Sequence, residues 1–239
     1  MPPDGPIWMQ LTMPLLTGAC GVLAGQYTTR RAARREDESR QLANRLGYLD
    51  PLARAGETLA WKLKTVAEKI RDNSHGSGGL AWMLGQFHKI KHAEGTAKDH
   101  AYWCNGEGFF AVSTVYATAV FFAHARRARR EYLKEERLVR RLDAVSEAFA
   151  HDRGIYHLVQ DSVGQCVLQA PGREPTYREF CERIYIEEER PWFLGVLDYY
   201  REVDKKSEKE RAGIREALGA LLEYLPSVAR IDVRNPFRV

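Results

Sequence analysis

The first strong pattern along the chain is an uncharged stretch that runs from Gly5 to Thr29. Its apolar part, residues 7–27, forms a helix long enough to cross the ~30 Å hydrocarbon layer of a bilayer. The stretch ends at an arginine cluster that the positive-inside rule keeps in the cytoplasm, made of Arg30, Arg31, Arg34 and Arg35. The pattern predicts a transmembrane anchor in residues 1–29 and places the rest of the chain in the cytoplasm.

Two other interpretations of residues 7–27 stay open. A secretory signal peptide carries basic residues before its apolar region, whereas Asp4 and the amino terminus are the only charged groups there. A buried or peripheral helix of a soluble protein is the second alternative, because several polar residues and a proline interrupt the stretch: Gln10, Thr12, Pro14, Thr17 and Gln26.

Small residues recur every four positions in the same stretch, at Thr17, Gly21 and Gly25. A face of small residues lets two helix backbones approach closely in lipid, where such faces drive pairing. Gly21 and Gly25 are therefore candidate contacts of a homodimer. The plainer reading is that glycine is common in membrane spans.

A second apolar run, residues 109–125, also lacks Asp, Glu, Lys and Arg. If it crossed the membrane, it would deliver the following arginines to the outer side, against the rule that orients the first span: Arg126, Arg127, Arg129 and Arg130. We therefore predict that residues 109–125 form the central helix of a soluble bundle. A membrane-inserting effector that uses both residues 7–27 and residues 109–125 remains an alternative.

The remainder of the chain follows helical periodicity. We predict a basic juxtamembrane helix in residues 30–49 and an all-helical cytosolic domain in residues 50–239. Apolar residues recur at helical spacing in several stripes, one of which contains Ile155, Leu158, Val159, Val163 and Val167. Because alternating strand-like runs are nearly absent, the predicted fold class is all-α, a single N-terminal transmembrane helix followed by a helical bundle.

Local signals predict where some of these helices begin and end. Asp50-Pro51 indicates a helix start, with Asp as the cap and Pro in the first turn. Thr176 with Glu179, and Ser207 with Glu210, have the spacing of capping boxes. Pro226 predicts a helix end, because proline lacks the backbone donor that continues a helix.

Composition narrows the class of protein. Apolar residues make up 44% of the chain, enough to fill a core, while the 28% of charged residues excludes a polytopic membrane protein. The net charge of +4 does not by itself indicate nucleic acid. The cysteines are widely scattered without a CxxC motif, so neither a disulfide scaffold nor a zinc ribbon is indicated: Cys20, Cys104, Cys166 and Cys181.

The sequence contains few residue patterns that indicate catalysis. The chain contains no GxSxG, Walker A or dinucleotide-binding fingerprint. His88 and His92 have the i, i+4 spacing of metal ligands, and His151-Asp152 has the form of a pair used by helical metal-dependent phosphohydrolases. These two pairs are the basis of an alternative function, a helical metal-dependent hydrolase. Residues in such positions more often lie exposed to solvent or in a turn, so no catalytic, cofactor-binding or metal-binding residue is predicted.

Two segments carry opposite charge. Residues 126–141 hold eight basic residues against three acidic ones, and residues 179–210 hold ten acidic residues against six basic ones. The two segments could pair with each other, or the basic one could bind anionic lipid headgroups. Nucleic acid is disfavoured, because Tyr132 is the only aromatic residue in the basic segment. The candidate interaction residues are Arg126, Arg127, Arg129 and Arg130.

The arginine-rich stop at residues 30–35 and the stretch YATAVFFAHARRARR, residues 116–130, carry one resemblance. The chain resembles a group of uncharacterised bacterial proteins that have one N-terminal span and an all-helical cytosolic region. This resemblance implies no activity, cofactor or site residue. The sequence as a whole predicts a membrane-anchored helical module that binds a protein partner or self-associates, without an evident catalytic site.

Overall fold

The computed structural model describes residues 47–71, 96–131, 135–151, 154–168, 173–229 and 231–238, together with Glu36. The chain divides into two units, residues 1–47 and residues 48–239. Apart from Glu36 and Gly47, the described residues belong to the second unit. The predicted span, with Gly21 and Gly25, and nearly all of the predicted juxtamembrane helix lie outside the described residues.

The described part of the chain is all-helical, which confirms the predicted secondary-structure class. Short 3-10 helices at Arg190–Phe193 and Val203–Lys205 flank the seventh α-helix. The α-helices, numbered here in chain order, are α1 (47–71), α2 (Ala97–Asn105), α3 (Phe109–Glu131), α4 (Glu136–Ala150), α5 (His157–Val167), α6 (Tyr177–Tyr185), α7 (Leu194–Arg201) and α8 (Glu208–Ala229).

Both predicted capping boxes are present. The Thr176 hydroxyl accepts the backbone N–H of Glu179, whose carboxylate accepts the backbone N–H of Thr176 at the start of α6. Ser207 and Glu210 make the same reciprocal pair at the start of α8. A capping box satisfies backbone donors that have no partner inside the helix, so these short motifs fix where the helices begin.

Two predicted helix boundaries are wrong. Asp50 lies inside α1 rather than at its cap, and its carboxylate pairs with Arg54 at 2.9 Å. Helical residues precede it because Leu49 is fully buried in the core. Pro226 lies inside α8, which continues to Ala229. The lost backbone hydrogen bond falls in the last turns of the helix, where Leu225 still packs in the core.

Helix α3 is the centre of the bundle. It packs along α5 and also touches α2, α4, α6 and α7. By length and composition it could cross a membrane, and 78% of its most apolar 18-residue window is buried within the fold. Its side chains are buried almost continuously from Ala111 to Ala125. Residues 109–125 therefore form a core helix in this structure, and the arginine-rich turns follow at its carboxyl end.

Helices α4 and α8 pack beside this centre, and α1 lies against both α3 and α8. The Arg127 guanidinium of α3 stacks on the Tyr48 ring of α1, at 4.5 Å from its centroid. The Arg141 guanidinium of α4 donates to the carbonyl oxygen of Ala220 in α8, at 2.9 Å. Residues 231–238 return along the bundle, where the Asn235 amide donates to the Glu223 carboxylate at 3.1 Å.

Candidate functional site

The four arginines singled out in the sequence lie at the carboxyl end of α3, and they do not form one free surface. Arg129 donates to the Asp143 carboxylate at 3.0 Å and to the Leu142 carbonyl oxygen at 2.8 Å, which ties α3 to α4. Arg127 covers Tyr48. Arg126 is half-buried, and Arg130 is exposed. Part of this positive charge therefore serves helix packing.

The charged segments form ion pairs between near neighbours. In the basic segment, Arg140 pairs with Glu136 at 3.3 Å, one helical turn away. In the acidic segment, Arg201 pairs with Asp198 at 3.3 Å. The less exposed Arg183 pairs with Glu189 across the end of α6. These pairs balance charge within each segment, and an exposed pair such as Arg140 with Glu136 contributes little to stability.

The histidine pairs considered for metal chemistry are placed only in part. His88, His92 and Asp152 lie outside the described residues. His151 is exposed, and its Nδ1 lies 3.8 Å from the Glu210 carboxylate. In the part of the chain that the structure describes, no group of three or more His, Cys, Asp or Glu side chains is arranged to hold a metal ion.

The buried polar side chains of α3 are paired inside the bundle. The Thr118 hydroxyl lies 2.7 Å from the Tyr200 hydroxyl of α7. Burial raises the pKa of Tyr200, so this phenol is neutral. His124 Nε2 lies 2.7 Å from a carboxylate oxygen of Glu174, in the segment before α6. These contacts position helices and leave no convergent set of reactive groups on α3.

A groove lies on the surface between α5 and α7. It is an open cavity of about 600 Å³, lined by Tyr156 and Val159 of the α5 side and by Tyr199 of α7. Gly195 lets the two helices meet, because a Cβ atom there would lie 2.8 Å from Val159 Cγ1. We call this cavity the α5–α7 groove.

Charges of both signs line one side of the α5–α7 groove. Asp198 and Glu202 are acidic, and Lys205 and Lys206 are basic. The Glu202 carboxylate lies 3.6 Å from the Lys205 ammonium. The Lys206 ammonium lies 5.4 Å from the centroid of the Tyr199 ring, and burial raises the pKa of Tyr199. The groove therefore combines an aromatic wall with a mixed-charge edge, the composition of a polar protein–protein interface.

Large apolar side chains stand exposed beside this groove. Leu158, next to Val159, is 82% exposed, and Tyr156 is 59% exposed. Trp192 is 55% exposed on the 3-10 helix that leads into α7. Trp and Tyr are enriched where proteins contact each other, because one side chain offers a large apolar area with a polar edge.

Sequence reasoning missed this surface. The stripe that contains Ile155, Val163 and Val167 does reach the core, but Leu158 from the same stripe points to solvent. Leu158 lies three residues after Ile155, a spacing that assigns it to the apolar face of a helix. It also lies one residue before Val159 and five before Val163, spacings that turn it away from the face those two residues share, and this is the signal that could have separated it.

Comparison with known proteins adds no family to this picture. No protein-family model matches the chain, and no match was found among curated proteins or among solved structures. The functional argument therefore rests on the residues and contacts described above.

Proposed function

We propose that the protein is a membrane-tethered helical module that self-associates, with residues 7–27 as the tether and the α5–α7 groove at the contact between two copies. The observation that carries this proposal is the exposure of Leu158 on α5 and Trp192 on the 3-10 helix that leads into α7, the two helices whose residues line an open, aromatic-walled groove. A large apolar side chain that is mostly exposed in one copy is the kind of anchor that becomes buried in a complex.

The charge pattern supports a second copy as the partner. In a two-fold symmetric interface, each surface meets itself, so acidic and basic residues on one edge face their opposites on the other. Asp198 and Glu202 beside Lys205 and Lys206 have this self-complementary pattern. A tether adds to it, because confining both copies to a membrane raises their effective concentration.

The tether is supported by the charge pattern of the amino-terminal stretch. Residues 7–27 carry no charged side chain and end at four arginines within six positions. The other stretch with the length of a span, Phe109–Glu131, is packed inside the bundle. Inserting it into lipid would disrupt the core, so the amino-terminal stretch is the better tether.

Self-association is tested with the full chain in native membranes. Cross-linking or energy transfer between two differently tagged copies should give a dimer signal. We expect Leu158→Ser together with Trp192→Ala to reduce that signal strongly. The matched control is Tyr102→Ala, which removes an aromatic ring that is 83% exposed on α2, and this variant should keep it.

A dimer signal that survives Leu158→Ser/Trp192→Ala and disappears with Gly21→Leu/Gly25→Leu would move the interface to the tether. The absence of any dimer in the unaltered chain would overturn the proposal. Loss of the signal with Tyr102→Ala as well would show that the effect does not belong to the groove.

A further inference from the structure

Helices α2 and α6 are joined by polar contacts to backbone atoms. The Tyr177 hydroxyl at the start of α6 donates to the Cys104 carbonyl oxygen near the end of α2, at 2.8 Å. One turn later in α6 and one turn earlier in α2, His100 Nε2 lies 3.0 Å from the Cys181 carbonyl oxygen. Two contacts in register hold Cys104 and Cys181 on facing sides of this junction.

The imidazole of His100 lies between the two cysteines. A carbonyl oxygen only accepts, so Nε2 carries the proton that it donates to Cys181. The same nitrogen lies 3.3 Å from Cys104 Sγ. Nδ1 is buried without a hydrogen-bond partner, and burial lowers the pKa of His100. The ring is therefore neutral and directs an N–H group toward both cysteines.

The two thiols have unequal acidity. A hydrogen bond from the Cys104 thiol lowers the pKa of Cys181, against the opposing effect of burial. The same contact, together with burial, raises the pKa of Cys104. Cys104 is fully buried, whereas Cys181 keeps a small exposed fraction. Cys181 is thus the more acidic of the two thiols and the less completely buried of the two residues.

We propose that Cys104 and Cys181 are a redox-active dithiol that hydrogen peroxide converts to a disulfide joining α2 to α6. The geometric basis is that His100 Nε2 reaches both the Cys104 sulfur and the Cys181 carbonyl oxygen, which places the two cysteines on facing backbone segments, as a disulfide requires. In chains kept in a reducing compartment, disulfides of this kind are usually transient or sensory rather than structural. The inference does not depend on the self-association proposed above.

The chemistry has two steps. The Cys181 thiolate attacks one peroxide oxygen, the O–O bond breaks, and the departing hydroxide takes up the thiol proton as water, which leaves a sulfenic acid on Cys181. The Cys104 sulfur then attacks the Cys181 sulfur, the S–O bond breaks, and the leaving hydroxide takes the Cys104 proton as a second water. Two thiols are oxidised by two electrons in total, and one peroxide is reduced to two waters.

Cys166 provides an internal control. It lies on α5, where its carbonyl oxygen accepts a hydrogen bond from Arg183 of α6, and it is more exposed than either Cys104 or Cys181. Burial nevertheless raises its pKa. If exposure alone decided the reaction with peroxide, Cys166 would react first. If the fraction of thiolate decides it, Cys181 reacts first, because its pKa is lowered. The order of reaction therefore distinguishes a dithiol site from adventitious oxidation.

The experiment treats the full chain with hydrogen peroxide and follows each cysteine by alkylation and non-reducing peptide mapping. We expect a Cys104–Cys181 cross-linked peptide that forms about ten-fold faster than Cys166 is oxidised, and that dithiothreitol reverses. With Cys104→Ser, Cys181 should stop at a sulfenic acid that dimedone traps. Cys166→Ser should leave the cross-link unchanged.

The unaltered chain decides the matter even if a variant fails to fold, because its own three described cysteines compete in one sample. Oxidation of Cys166 before the pair would overturn the proposal. So would a cross-link from either cysteine to Cys20 or Cys166, or thiols at Cys104 and Cys181 that react only after denaturation.

Discussion

The contact of α3 with α5 and the contact of α1 with α8 both pass through a glycine, and they differ in what the glycine meets. A Cβ atom on Gly164 of α5 would lie 3.0 Å from the carbonyl carbon and oxygen of Phe122 and 3.1 Å from the Cα of Ala123. A Cβ atom on Gly56 of α1 would lie 2.9 Å from Leu222 Cδ2, with other atoms at 3.9 Å.

The two helix contacts therefore differ in rigidity. At Gly164 the neighbouring atoms belong to a helix backbone, which moves only if the two helices separate. At Gly56 the neighbour is the end of a leucine side chain, which can change its rotamer. The spacing of α3 and α5 is therefore set by backbone contact, and the spacing of α1 and α8 by side chains that can adjust.

The largest expected effect tests this comparison directly. Gly164→Ala should lower the free energy of unfolding by up to about 3 kcal/mol, because the added methyl group forces the two backbones apart. Gly56→Ala should change it by less than about 1 kcal/mol, since the gain in helix propensity offsets the movement of Leu222. Urea unfolding of both variants measures the difference. Equal losses of stability would contradict the distinction.

Removing the hydrogen bond between Thr118 of α3 and Tyr200 of α7 should lower the free energy of unfolding by an intermediate amount, which depends on which of the two hydroxyls is removed. The Thr118 hydroxyl donates to the Thr114 carbonyl oxygen at 2.9 Å, so the Tyr200 hydroxyl donates to Thr118. Thr118→Val removes the acceptor that Thr118 provides for the buried Tyr200 hydroxyl and should cost about 1 to 2 kcal/mol, whereas Tyr200→Phe should cost about 1 kcal/mol or less. Unfolding free energies of both single variants and the double variant check this order.

The double variant sharpens that test. Each single variant already removes the same hydrogen bond between the two hydroxyls, so Thr118→Val/Tyr200→Phe should be less destabilised than the sum of the single variants. Strict additivity would mean that the two hydroxyls do not interact in the folded protein.

The smallest expected effect lies at the contact of α3 with the segment before α6. The hydrogen bond from His124 holds the pKa of Glu174 below its usual range. A carboxyl group with a lowered folded-state pKa stabilises the fold above its unfolded-state pKa, and that contribution disappears as the pH falls through the folded-state value. Unfolding of the wild type should therefore weaken more steeply than that of Glu174→Gln as the pH falls below about 4.5. Parallel pH profiles of the two proteins would contradict this assignment.

Local signals in the sequence predict the helices well. Capping at Thr176 and Ser207 depends on residues three positions apart, so short-range chemistry decides it. The burial of α3 also follows from its composition, because a long uncharged helix in a chain rich in charge needs neighbours on every side. Pro226 wrongly predicts the end of α8, because the packing of α8 in the core outweighs the one backbone hydrogen bond that proline removes.

The candidate sites could not be predicted in the same way, because they depend on which helices become neighbours. Cys104 and Cys181 are distant in sequence, and only the packing of α2 against α6 brings them together. Leu158 belongs to an apolar stripe, and it is exposed because no neighbouring helix in the described part of the chain packs over it. Amphipathic patterns define faces of helices, while the partner of each face is a property of the tertiary fold.

The most direct test of the account is carbonate extraction of membranes that contain either the full chain or a chain beginning at Arg30. We expect the full chain to stay in the carbonate-resistant pellet and the shorter chain to be released, because residues 7–27 are the proposed tether and α3 is packed in the core. Retention of the shorter chain in the pellet would show that α3 enters the membrane. Release of the full chain would show that residues 7–27 do not anchor it. Either result would contradict the proposed tether.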